Sequence, residues 1–287
     1  MGGEILRQDL SKSAEHSGVY AINLLFKERV QTPDIALLRE RLEAKFGAAD
    51  IVSGETALAS FALPQLAYTT SDGKALPPMI MISACEAIKK PLADGIARTQ
   101  FWDIENGAEL LDSLPFTVIV GDFMARGLEP LARAGMLADW LEIALDLFPS
   151  CEAVYFQPSA KLLLPDRLRD NPYGDRGASR FLYGGINIRY FRVDGTNDRV
   201  VDTLGLFAFG LADIQYHFRD LGTNAMVGHA FNTALYQFEN GEPIKDGNTV
   251  EGVTAGEKWS CQYENALIQP ARTVLDISAG AYAAGSR

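Results

Sequence analysis

The chain has 287 residues, 47% of them hydrophobic and 22% charged, and a formal net charge of −11 from 26 basic and 37 acidic side chains. These values exclude a disordered or fibrous chain, and the length suffices to bury roughly three quarters of the unfolded surface without a metal or disulfide staple. The acidic balance also argues against nucleic acid, because phosphate binding needs a basic face. The densest basic spots are only Arg39 with Arg41, Lys89 with Lys90, and Arg167 with Arg169.

In chain order, residues 1–17 are polar and read as a frayed arm that includes His16. Val19 to Phe26 reads as a largely buried strand. Thr32-Pro33-Asp34 is a helix start, followed by Ile35, Leu38, Leu42 and Phe46 at helical spacing and closed by Gly47. Short strands are predicted near 50–53, 57–62, 66–69 and 78–84, separated by glycine and proline signals. The segment Arg98 to Asp103 leads into a brief helix before Pro115, and Phe116 to Val120 reads as a buried strand. A helix from about Leu128 to Phe148 follows, with Leu131, Leu137, Trp140, Leu141 and Leu145 turned toward a core. Ala153 to Phe156 is a further strand.

Residues 164–180 are rich in Pro, Gly, Asp and Arg and read as a linker or a long loop. Beyond them come a strand from Phe181 to Val193, with Gly184-Gly185 marking a bulge or a close backbone approach. A strand or hairpin is predicted from Thr203 to Phe218, then a helix from about Asn224 to Phe238, and strands at 258–263 and 273–277. The tail Ser278 to Arg287 is small-residue low complexity and reads as mobile. The pattern is α+β: two α/β halves, 18–163 and 181–278, with mostly antiparallel sheets and helices packed on one face. Two separate halves and one continuous core are both compatible with this pattern.

Cys85, Cys151 and Cys261 lie in apolar surroundings with no metal-ligand or disulfide spacing, which suits small buried hydrophobes in a reducing compartment. No secretory signal is visible, and the apolar run Leu204 to Ala212 is about half the length a membrane span needs. The expected location is the cytoplasm, away from membranes.

No phosphate-binding glycine loop, nucleophile elbow or His-Glu-x-x-His pattern occurs. The polar constellation with the best chemistry is Asp213, His217 and His229. If residues 212–218 are extended, Asp213, Gln215 and His217 share one face, and the following helix carries His229. These groups are the candidates for acid–base work or a divalent metal, set against a reading in which they satisfy backbone groups where strand meets helix. Asp202 reads as a loop anchor. Trp102 and Asp103, with Asp202 and Gln215, are candidates for lining a groove or a partner surface.

The stretch Asp202-Thr203-Leu204-Gly205-Leu206 with Gly210 to Phe218, and the later Asp246-Gly247-Asn248-Thr249-Val250, resembles the bacterial DUF4261 domain family, whose function is unknown. Gln100 to Asp103, Asp122 to Ala125 and Cys151 to Val154 resemble the region preceding that domain. The resemblance implies a bacterial cytoplasmic protein and carries over no catalytic residue. The functional expectation is a non-enzymatic protein of immunity or antitoxin type that binds another protein, plausibly a basic one, through its acidic surface. It calls for no cofactor and no metal and leaves the oligomeric state open. The alternative is a hydrolase or metal-dependent enzyme built on Asp213, His217 and His229.

Overall fold

The structure, a computed structural model, describes residues 18–55 and 57–285, so the N-terminal arm with His16 lies outside the described residues. The fold is α+β with mostly antiparallel sheets. The chain divides into two compact units between Gly185 and Ile186.

In the N-terminal unit the elements in chain order are strand β1 (Ala21–Phe26), helix α1 (Ile35–Phe46), and strands β2 (Asp50–Gly54), β3 (Leu58–Ala62), β4 (Tyr68–Thr69), β5 (Ala75–Leu76), β6 (Met79–Ser83) and β7 (Glu86–Ala87). Helices α2 (Gly95–Arg98) and α3 (Gly107–Ser113), strand β8 (Phe116–Phe123) and helix α4 (Pro130–Leu147) follow. The unit ends with β9 (Ala153–Phe156), β10 (Lys161–Leu163) and the short helices α5 (Pro165–Arg169) and α6 (Leu182–Gly185). The main sheet has the order β10-β9-β1-β8-β6-β3-β2, antiparallel throughout, with β7 also on β8.

Helix α1 begins two residues later than Thr32 suggests. Asp34 caps it by accepting from the Ala36 amide at 2.8 Å, and Gly47 closes it at φ +87°. Leu24 and Phe26 of β1 face α4, where the Phe26 and Phe148 rings lie 5.6 Å apart. Leu25 faces the other way, into a cluster with Ala97, Phe101, Leu111, Tyr155 and Leu162. Helices therefore cover both faces of this sheet, where one face was expected. Burying a charged pair on α4 anchors it: Arg133 donates to Asp122 of β8 at 2.8 Å, and Asp122 also accepts from the Tyr20 amide at 2.7 Å.

Residues 164–180, expected as a linker or loop, belong to this unit. They hold α5 and a 3-10 turn at Gly177–Phe181, and Arg180 of that turn pairs with Asp139 and Glu142 of α4. Nor does a strand begin at Phe181. Gly184-Gly185 sits in α6, and a Cβ on Gly184 would lie 2.1 Å from the Phe156 ring, so close approach rather than a bulge explains the pair.

The C-terminal unit holds β11 (Asn187–Arg192), β12 (Arg199–Leu204), β13 (Asp213–Phe218), α7 (Thr223–Glu239), β14 (Thr249–Glu251), β15 (Lys258–Asn265) and β16 (Thr273–Ile277). Its sheet runs β11-β12-β13-β16-β15-β14, with β13 and β16 parallel and every other pair antiparallel. The expected hairpin at 203–218 is two strands joined through a 3-10 turn at Leu206–Phe209. Helix α7 lays Met226, Ala230, Ala234 and Phe238 on the sheet, with Phe238 5.4 Å from Phe209. The described part of the tail is not loose. Tyr282 and His217 carbonyls accept from Arg219 and Ala284 amides, and Ala283 bridges to Phe218.

Gly121 in β8 tests how tightly these strands are fitted. A Cβ there would lie 2.0 Å from the Tyr20 carbonyl oxygen, a backbone atom with no rotamer to change. Gly121→Ala should therefore cost about 2 kcal/mol or more of stability, read as a lower urea midpoint at unchanged slope.

Candidate functional site

A row of polar residues crosses the C-terminal sheet on the face opposite α7. Strand pairing puts Arg189 beside Asp202, Asp202 beside Gln215, Gln215 beside Asp276, and Asp276 beside Gln262, one residue from each of five strands. Side chains at one register level on neighbouring strands point to the same face. Arg189, Asp202, Gln215 and Asp276 are all buried, as are Asp213 and Arg272.

Two guanidinium groups bind the row together. Arg189 Nε donates to Asp202 Oδ1 at 2.9 Å, and its Nη1 donates to the Gln269 carbonyl at 2.7 Å. Arg272 donates through Nε to Asp213 at 3.0 Å and through Nη2 to Asp202 at 2.7 Å and the Thr203 carbonyl at 2.8 Å. Its Nη1 reaches the carbonyls of Ile268 and Pro270, both at 2.9 Å. All five N–H donors of Arg272 are thus used. Asp213 also accepts from the Thr203 hydroxyl at 2.8 Å and the Leu206 amide at 3.0 Å. Gln215 ties to Asp276 and to the Leu267 amide, each at 2.8 Å. Burial raises the Asp213 carboxyl above its ordinary range, against the opposing pull of Arg272.

The expected trio does not converge. Asp213 and His217 share a face of β13 but stand four residues apart, about 13 Å along an extended strand. His217 pairs instead with Asp198 at 3.4 Å, and Asp198 also holds Arg219. His229 lies on the other face, where its Nδ1 is 2.7 Å from the Tyr216 hydroxyl. Its Nε2 donates to the Glu251 carbonyl at 2.8 Å, which leaves Nδ1 to accept in the neutral ring. The ring packs against Trp259 at 5.1 Å, and burial raises the Tyr216 phenol. Among the described residues, no three His, Cys, Asp or Glu side chains group so as to hold a metal ion.

In the N-terminal unit, Trp102 is 59% exposed, with its indole N–H on the Gln100 side chain at 3.2 Å. Asp103 lies 3.4 Å from the Lys161 ammonium, which sits 5.0 Å over the Tyr183 ring. Burial lowers the Lys161 ammonium, and Asp103 opposes that shift. Tyr173 stacks edge-on to Tyr183 at 6.1 Å, and Arg176 lies 6.0 Å over Tyr173. Lys161, Tyr173 and Tyr183 are a cationic–aromatic cluster that local sequence reading missed, since 58 residues or more separate them from Asp103. A separate cleft of about 460 Å³ on α4 is lined by Leu141, Leu145, Phe156 and Phe181 together with Arg169 and Arg180. Asp213, His217 and His229 do not line it.

The residues that hold this network overlap a recognised segment. Residues 202–278 match a DUF4261 domain, a domain of unknown function. Neither a curated protein nor a solved structure matches the chain. The DUF4261 segment contains Asp202, Asp213, Gln215, Arg272 and Asp276 and leaves Arg189 outside.

Removing Arg272 strands the buried Asp213 carboxylate and leaves Asp202 with Arg189 alone. Arg272→Met should cost about 3–5 kcal/mol in urea unfolding. The Asp213 carboxyl, already raised by burial, rises further without its cation. A carboxyl raised in the folded state adds stability at low pH that is lost as pH climbs through the raised value. The deficit of the variant is therefore larger at about pH 8 than at about pH 5.

The three cysteines are buried and unpaired by disulfide, and burial pushes the Cys151 thiol up to about 12. In the native protein at about pH 8 a thiol reagent should label none of them within the time that labels all three in denaturant.

Proposed function

We propose that the protein works by binding another protein rather than by catalysis, as a cytoplasmic bacterial protein of immunity or antitoxin type whose acidic surface meets a basic partner. The observation that carries this reading is the saturation of the chemically capable groups by bonds inside the fold. Asp213 has both oxygens occupied, and His229 has both ring nitrogens engaged. An acid or base at work needs access and a proton partner outside the fold, in the reach of a substrate.

The net charge of −11 supports a basic partner, because complementary potentials raise association rate and suppress wrong partners. Three buried free thiols fit a reducing compartment. The bacterial setting comes with the DUF4261 likeness.

The test is affinity capture from a native lysate with the full chain as bait, repeated across salt. A stoichiometric partner of high isoelectric point is expected, with recovery falling as salt rises from about 50 to about 500 mM. The reading fails if no stoichiometric partner appears at any salt. It fails equally if the purified chain turns over a substrate and loses that activity in folded His217→Ala and His229→Ala variants.

A further inference from the structure

Each sheet in the molecule ends in strands that must be kept from pairing with strangers. In the N-terminal unit, β10 is buried at Leu162 and Leu163, and α6 packs against it. In the C-terminal unit, β14 is only three residues long and ends on Glu251, while β11 carries Arg192 at its exposed end. Strand β2 is five residues long and exposed at all but Ser53. It pairs with β3 on one side, and among the described residues no strand lies on the other. Its Ile51 and Val52 are 46% and 52% exposed, beside Leu58 of β3 at 43%. The register shift between Ile51 and Ser53 makes Val52 the extra residue of a bulge, which twists the edge and discourages a long flat extension of the sheet.

The charges around this apolar edge select what can be added. Asp50 opens the strand and Glu55 follows its end, both exposed. A second copy paired antiparallel about Val52 would set Asp50 of each chain beside the Gly54–Glu55 end of the other. A parallel copy in register would set Asp50 against Asp50. Like charges stand directly opposite in the parallel pair and crowd each end of the antiparallel one, which disfavours a second copy. We propose that the free edge of β2 takes up an extended segment of a basic partner protein as an added strand, with Lys or Arg at each end of that segment and β-branched residues between. Main-chain bonds supply the attraction, Ile51 and Val52 cover the apolar centre, and Asp50 and Glu55 read the two cations. The inference rests on the binding reading above and assigns its surface.

The probe is a fluorescein-labelled peptide, Lys-Lys-Val-Thr-Val-Thr-Lys-Lys, titrated against the full chain by anisotropy beside a counterpart with glutamate in place of every lysine. The lysine-ended peptide should saturate and bind at least about tenfold tighter than the glutamate-ended one. Val52→Lys, at an exposed position that leaves the fold intact by circular dichroism, should weaken it about tenfold or more. The double variant Asp50→Lys with Glu55→Lys should reverse the order of the two peptides. Equal binding of both peptides, or indifference to Val52→Lys, overturns the assignment. A dimer in light scattering that Val52→Lys dissociates also overturns it, in favour of a second copy. If Val52→Lys captures the lysate partner as well as the unaltered chain does, the surface is wrong while the binding reading stands. If the unaltered chain captures nothing, that reading falls whatever the peptides do.

Discussion

Placing two guanidinium groups and three carboxylates in the interior of one sheet is the constraint around which the C-terminal unit is organised. Each such ion loses several kcal/mol of hydration, and attraction between partners recovers this only when every donor and acceptor is used. Arg272 meets that condition with five acceptors, two of them carboxylates and three of them backbone carbonyls. The carbonyls of Ile268, Gln269 and Pro270 are drawn onto the charges, so the loop between β15 and β16 closes over the polar face. One helix then suffices for this sheet: α7 covers the apolar face, and the arginines fix the loop over the other. Such a network adds little net stability compared with well-packed apolar residues. What it specifies is register, because a slip of β12 by one residue would turn Asp202 away from both arginines.

The same logic separates architecture from chemistry in the rest of the molecule. A group shifted from its ordinary pKa is a candidate for catalysis only where a substrate can reach it. Asp213 is raised, yet its oxygens face Arg272, Thr203 and backbone amides. Cys151 is raised by burial, which makes its thiol inert rather than nucleophilic. Lys161 is lowered, and its ammonium is held between the Tyr183 ring and Asp103. The direction of each shift follows from desolvation, and in each case the group's neighbours are its own fold.

Much of the fold was legible because it is written at short range. Leu38 and Leu42 mark the inner face of α1, and Leu137, Trp140, Leu141 and Leu145 that of α4. Alternation in 213–218 separated Asp213, Gln215 and His217 from Ile214, Tyr216 and Phe218, and the sheet keeps that division. Pairings across long sequence distance were not legible. Arg189 and Arg272 stand 13 and 70 residues from Asp202, and nothing local in either segment marks them as its partners. Residues 164–180 have the composition of a loop, but Arg180 finds Asp139 and Glu142 about 40 residues back and binds the segment to α4. The glycine- and alanine-rich tail is held by backbone hydrogen bonds at the end of β13, which side-chain composition cannot reveal. Two histidines and an aspartate close in sequence looked like a site, because proximity along the chain says nothing about which face of a sheet each one takes.

The extent of the DUF4261 match and the extent of the folded unit differ for a physical reason. The match opens at Asp202, whereas the compact unit opens at Ile186. A sheet beginning at β12 would expose the edge of that strand and leave Asp202 with Arg272 as its sole cation. Strand β11 supplies the second guanidinium from Arg189 and covers the edge of β12 with six paired residues. Asp202 accepts three of its hydrogen bonds from these two arginines through Nε and Nη2 of Arg189 and Nη2 of Arg272. Hydrogen bonds to a buried carboxylate favour its charged form, and two of these three come from the residue before the segment. The smallest self-consistent unit therefore includes β11, since the Asp202 carboxylate at the start of the recognised segment is paired with a residue that lies before it.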